Sequence, residues 1–197
     1  MPVAIVESPI AAPPLSRKKF TRDEVYTMLN AGFFGDQRFE LIDGDIIDKM
    51  GQNPPHASGI QLCMEILVRI FGVARVRAQL PMEVGPSDRD RNEPEPDFAV
   101  VREDKADYRK RHPTGKETEL VVEIADTSLA SDLSIKRRLY ARAGVPEYWV
   151  VDLNNRRLVV HRGLDMAKGE YDSVQSYAET ESVAVGGQSV TVLSLLP

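Results

Sequence analysis

The sequence predicts a mixed-sheet α/β domain, and three observations carry that prediction. Apolar residues recur at helical spacing over 60–71. β-rich apolar runs follow at 75–84, 96–102, 119–124 and 147–153. Between the last two lies a helical segment, 131–144, long enough to act as a right-handed crossover joining parallel strands. The order is helix, strand, strand, strand, helix, strand.

Taken in turn, residues 1–18 are rich in Pro and Ala and read as a mobile arm ahead of a single domain, 19–197. Thr21 as N-cap and Glu24 at the third helical position make a capping box, with Phe20 and Val25 placed as a hydrophobic staple. A helix therefore begins at 22 and stops near Gly32. In RFELIDGDIIDKM, Asp43-Gly44 supplies the positive φ angles of a tight hairpin. Alternation puts Phe39 and Leu41 on one face of it, Glu40 and Ile42 on the other.

The helix over 56–72 carries apolar residues at 60, 63, 64, 67, 70 and 71, and Gly72 suits its C-terminal cap. RVRAQLPMEV, 75–84, alternates as a strand, with Pro81 marking an edge or a bulge. PDFAVVR and ELVVEI are strands joined by a polar segment that contains Tyr108, Arg109, Lys110 and Arg111. The helix over 131–144 takes Ser131 or Asp132 as cap and Gly144 as terminator, with Ile135, Leu139 and Ala143 along its apolar face. EYWVVDL is a buried strand, Asn154-Asn155 turns into RRLVVHR, and further short strands run to Leu195-Leu196.

Composition narrows the function. Hydrophobic content of 42% and charged content of 28% are ordinary for a soluble domain. The single cysteine, Cys63, has no disulfide partner, and no Cys/His set suits structural zinc, so a reducing, cytoplasmic setting is expected. Prolines and Glu7 interrupt the N-terminal apolar run before it takes signal-peptide form, and no stretch reaches the roughly 18–20 apolar residues of a membrane span. The net charge of −5 counts against binding nucleic acid through bulk electrostatics, and leaves metal ions and local basic patches to do that work.

Two acids look odd as pure structure. Asp97 follows Pro96 at the mouth of an apolar strand, and Glu123 interrupts the run Leu120-Val121-Val122-Glu123-Ile124. On neighbouring strands their carboxylates come within roughly 5–8 Å and repel unless a cation lies between them. Mg²⁺ (or Mn²⁺) takes such hard oxygen donors, and Glu40 of the hairpin could add another. Lys136 on the crossover helix is placed to stabilise an attacking water, or to act as a base if its pKa is lowered, with Tyr140 at i+4 on the same face.

Each of these residues also has a purely structural reading. Asp97 serves as a turn residue, Glu123 as half of a buried ion pair, Glu40 as a solvated strand residue and Lys136 as part of a solvated basic helix face. The set carries the argument, not any one member. His56 reads as a cap or packing residue and Cys63 as a buried hydrophobe, while His112 and His161 show no partner pattern.

The order ELIDGDII, His56, PEPDFAVV, ELVVEIADTS, DLSIKRRLYARAGVPEYWVVD closely resembles the Uma-two endonuclease family over roughly residues 18–195. That family in turn resembles the PD-(D/E)XK nucleases. The resemblance implies a restriction-endonuclease-like αβββαβ core and Mg²⁺-dependent phosphodiester cleavage. By resemblance, Pro96-Asp97 matches the PD element, Glu123 the acidic residue of (D/E)XK, and Glu40 the upstream acid. Ala125 stands where the motif has lysine, and the family similarly draws its lysine from the following helix, here Lys136. Gln79, on the strand before Asp97, is a further candidate to line the cleft.

The leading expectation is a metal-dependent DNA endonuclease. A catalytically inert nuclease-fold binding or regulatory domain and a hydrolase of smaller phosphoesters are the alternatives. Cutting both strands of a duplex is simplest with two sites, which a homodimer would supply.

Overall fold

The computed structural model describes residues 16–49, 53–102 and 108–197. Most of the arm expected over 1–18 lies outside these residues, as does part of the polar segment before residue 108. Thr21 caps helix α1 (Arg22–Asn30) through the capping box with Glu24. Strands β1 (Phe39–Ile42) and β2 (Asp45–Asp48) form a separate antiparallel hairpin. Its turn residues Asp43 and Gly44 take φ of 48° and 75°, a region glycine enters freely and Asp tolerates.

Helix α2 (Pro54–Phe71) is followed by a six-stranded sheet built from β3 (Val76–Ala78), β4 (Phe98–Val101), β5 (Thr118–Ala125), β6 (Tyr148–Asp152), β7 (Arg157–Asp165) and β8 (Glu170–Ala178) in that spatial order. Only the β5–β6 pair is parallel. The connection between those two is the expected crossover, made of α3 (Leu129–Ser131), a π-turn (Asp132–Lys136) and α4 (Arg137–Ala143). A second hairpin, β9 (Ser182–Val185) and β10 (Gln188–Thr191), leads into a 3₁₀ turn at Val192–Leu195.

Both faces of the sheet are covered, so its central strands are mostly apolar on both faces and alternation decides which layer each residue joins. Phe98, Val100, Leu120, Val122 and Ile124 pack with Cys63, Ile66 and Leu67 of α2. Ala99, Val121, Ala125, Tyr148 and Val150 pack with Tyr140 and Ala141 of α4. The β9–β10 hairpin closes the first layer with Val183, Val185 and Val190.

Four details depart from the sequence reading. The strand expected over 75–84 ends at Ala78, because Gln79 adopts φ of 52° and turns the chain out of the sheet edge. Glu40, Leu41 and Ile42 are all buried, since the hairpin is covered on both sides rather than one. Neither Ser131 nor Asp132 caps the crossover helix, which starts earlier, at Leu129. Its π-turn admits an extra residue per turn and rotates the buried face, so Ile135 is 51% exposed while Asp132, Lys136 and Tyr140 turn inward.

Candidate active site

The register of the sheet assembles the site. Phe98 pairs with Val122, which brings Asp97, one residue earlier, level with Glu123. The same parity that sends Val121 and Ala125 toward the crossover helix sends Glu123 there too. Two main-chain bonds lock the acids together: the Asp97 N–H donates to Glu123 Oε2 at 3.3 Å, and Asp97 Oδ2 accepts from the Ile124 N–H at 2.8 Å.

From above, the crossover helix lowers Lys136 and Tyr140 onto Glu123. The Lys136 ammonium lies 3.0 Å from Glu123 Oε1, and the Tyr140 hydroxyl donates to the same oxygen at 2.7 Å. From the side, Glu93 exchanges main-chain bonds with Leu41, and this pairing holds the hairpin against the 93–95 segment. Glu40 Oε2 thereby accepts from the Glu95 N–H at 3.2 Å, and its Oε1 reaches Lys136 Nζ at 2.7 Å. All four sequence candidates thus meet in one buried cluster, with Lys136 as the link between Glu40 and Glu123.

Two residues that were read as structural belong here as well. Asn53, not His56, supplies the capping side chain of α2, and the His56 ring places Nε2 3.4 Å from Asp97 Oδ2. Asp132, read as a cap, is buried one turn before Lys136 with Oδ1 3.7 Å from its ammonium. The spacing 132, 136, 140 marks one helix face and was the available signal. Gln79 joins through its main chain, donating its N–H to the Asp97 carbonyl at 3.0 Å. Cys63 is a free, buried thiol on the α2 face, its pKa raised by burial, as a hydrophobe's position requires. His161 is buried elsewhere, its ring stacked between Tyr148 and Tyr171, and burial lowers its pKa to about 4.

The electrostatics show a shortage of positive charge. Burial is the main force raising the Glu123 pKa, to about 7; Lys136 opposes it, while Asp97 and Asp132 add to it. Burial also works to raise Asp97, but the His56 contact, the Lys49 charge and the Ile124 N–H outweigh it and hold that carboxyl below its ordinary value. Burial alone would lower Lys136; Glu123, Glu40 and Asp132 reverse this and keep the ammonium well above its ordinary range.

Among the described residues no three His, Cys, Asp or Glu side chains stand arranged as a ready-made metal cage. The donor chemistry nonetheless fits a hard divalent cation. Asp97 and Glu123 are adjacent, oxygen-only and buried, and burial raises the Glu123 pKa even with Lys136 beside it. Among the described residues no helix is long and apolar enough to cross a membrane.

The fold is restriction-endonuclease-like. A solved structure described as a putative nuclease belonging to DUF820 from Anabaena variabilis ATCC 29413 superposes with a TM-score of 0.68 at 15% identity, covering 89% of this chain and 97% of that one. The family model described as "Putative restriction endonuclease" matches residues 23–192, and the chain belongs to that family, Uma2. The search of curated proteins returns no match.

Proposed function

We propose that the protein is a Mg²⁺- or Mn²⁺-dependent endonuclease that hydrolyses DNA phosphodiester bonds, with Asp97 and Glu123 holding the cation and Glu40 supporting them. The observation that carries this reading is the arrangement around Glu123. A buried carboxylate accepts the main-chain N–H of its neighbour acid on one side and meets a buried lysine on the other, within the parallel β5–β6 pair. A bound divalent cation supplies Lewis acidity toward a phosphodiester oxygen and charge to stabilise the departing oxyanion.

The chain's own residues do the rest. The main-chain N–H groups of Asp97 and Ile124 donate to the Glu123 and Asp97 carboxylates and so anchor one oxygen of each to the sheet backbone. Lys136 keeps its proton, because its pKa is raised, so its role is to place a fixed positive charge beside the attacking water or the developing negative charge. A general-base role for it would need a lowered pKa. Tyr140 orients Glu123 through its hydroxyl. With a net charge of −5, the cation and local basic patches would offset the repulsion between these acids and a polyanionic substrate. A homodimer would present two such sites to a duplex.

The test is incubation with supercoiled plasmid in Mg²⁺ or Mn²⁺, against EDTA and against Asp97→Ala and Glu123→Ala proteins whose folding is checked by circular dichroism. Cation-dependent nicking or linearisation that both substitutions abolish is expected. Cleavage that survives both substitutions removes these acids from the mechanism.

A further inference from the structure

Asp132 has an arrangement that the roles assigned so far do not use. Its side chain is 1% exposed. Ser128 Oγ donates to Oδ2 at 2.5 Å, whereas Oδ1 is buried without a hydrogen-bond partner. A bare carboxylate oxygen in the interior is costly, and native structures rarely keep one without a reason. The π-turn that turns Asp132 inward is a second unfavourable feature at the same place, and such turns concentrate at functional sites.

Lys136 is the group that Oδ1 faces. Its ammonium makes close contacts with Glu40 at 2.7 Å and Glu123 at 3.0 Å, while Asp132 Oδ1 waits at 3.7 Å. That separation is inside ion-pair range and beyond hydrogen-bond length. A shift of the lysine end group by about 1 Å would close it to an ordinary charged hydrogen bond.

A divalent cation on Glu123 would repel the ammonium now bonded to that same carboxylate. With Glu123 given up to the cation, the lysine would keep Glu40 and need a second acceptor in place of Glu123 to stay fully paired in the interior.

We propose that Asp132 is the alternate partner of Lys136: on cation uptake by Asp97 and Glu123, the ammonium releases Glu123, keeps Glu40 and settles on Asp132 Oδ1. This rests on the metal reading above and deepens it. Asp132 is thus a positioning residue, acting through Lys136. It lets the site exchange a lysine contact for a cation without expelling the lysine, which stays charged beside the place of reaction.

The test is a double-mutant cycle read by Mg²⁺ calorimetry on wild type, Asp132→Asn, Lys136→Met and the pair. Asn keeps the size and the bond from Ser128 but lacks the charge. Asp132→Asn should weaken Mg²⁺ binding about tenfold, within the range that coupled neighbours show, and should have almost no effect once Lys136 is Met. An equal loss in both backgrounds makes Asp132 a ligand or a support of the fold and overturns the proposal. So does unchanged binding in Asp132→Asn.

Should Lys136→Met fail to fold, ¹⁵N spectra of the lysine ammonium groups give an independent reading. The buried, slowly exchanging signal, identified by its loss in Lys136→Arg, should shift on Mg²⁺ addition in wild type and stay in place in Asp132→Asn. The same shift in both proteins overturns the proposal. Absence of any Mg²⁺ binding by wild type would remove the metal reading itself, whereas normal binding with an inert Asp132→Asn removes only this step.

Discussion

Replacing Lys136 with Met removes the one ammonium that holds three acids together while roughly keeping side-chain length. The lysine is 5% exposed, and its Nζ lies 2.7 Å from Glu40, 3.0 Å from Glu123 and 3.7 Å from Asp132. Removing one partner of a buried ion pair strands the other, at a cost of about 3–5 kcal/mol. At about 2–4 °C per kcal/mol for a chain of this size, the variant should melt roughly 6–20 °C below wild type in EDTA near pH 8.

The pH dependence has a definite sign. Glu123 already has a raised folded pKa, about 7, so its protonation favours the folded state below its ordinary value of 4.5. That contribution is lost as pH rises through about 7. Without Lys136, the charge that opposes their rise, Glu123 and Asp132 shift further up and take up protons in mild acid. The gap in melting temperature should therefore narrow at about pH 5.5 and widen at about pH 8. Mg²⁺ should partly close it at the higher pH, where it replaces the missing charge. Melts followed by circular dichroism at both pH values, with EDTA or Mg²⁺, decide the matter. Equal melting temperatures at about pH 8 in EDTA, or a gap that grows in acid, would refute the view of Lys136 as internal counter-ion.

A cation bound as proposed would compete with a proton for Glu123, whose pKa is raised to about 7, so Mg²⁺ affinity should rise by up to about tenfold per unit below pH 7 and level off above it. Calorimetry in two buffers of different ionisation enthalpy counts that proton, and binding without proton release at about pH 6 would contradict the assignment. Gly115→Ala tests the fold behind the site. A Cβ there would stand 2.3 Å from the Ala143 carbonyl oxygen and 2.7 Å from its carbon, which are backbone atoms that cannot rotate away. A loss of at least about 1–3 kcal/mol is expected in urea titrations, as overpacking against fixed atoms requires.

The core elements were legible because their patterns differ. The continuous β-rich apolar runs 119–124 and 147–153 and the 3.6-residue repeat of 60–71 reappear as β5, β6 and α2. The acids were legible because Glu123 is a charge within an apolar strand, and such a residue needs a partner wherever the chain folds. Asp132 was misread as a cap because the helix begins ahead of it, at Leu129, and Ile135 as buried because the π-turn rotates it outward. His56 was hidden differently. Its contact with Asp97 bridges residues 41 apart in sequence, and nothing local to α2's first turn anticipates it. The early end of β3 followed from Gln79 entering positive φ, a conformation uncommon for that residue type and set by tertiary context.

The burial of Lys136 explains why the rest of the cluster is present. Ala125 is fully buried on the same face as Glu123, packed among Tyr140, Ala141 and Tyr148, with Asp152 opposite it on β6. A lysine at 125 would have to end inside that packed layer. Lys136 instead descends from the crossover helix, and this route has requirements of its own. An ammonium arriving from that side passes Asp132 and ends between Glu123 and a position that the sheet does not occupy. Glu40, delivered by the hairpin, fills it at 2.7 Å. The separate two-stranded hairpin and the π-turn are therefore not ornaments on the six-stranded sheet. They are what a lysine on the crossover helix needs in order to be buried, charged and held against Glu123.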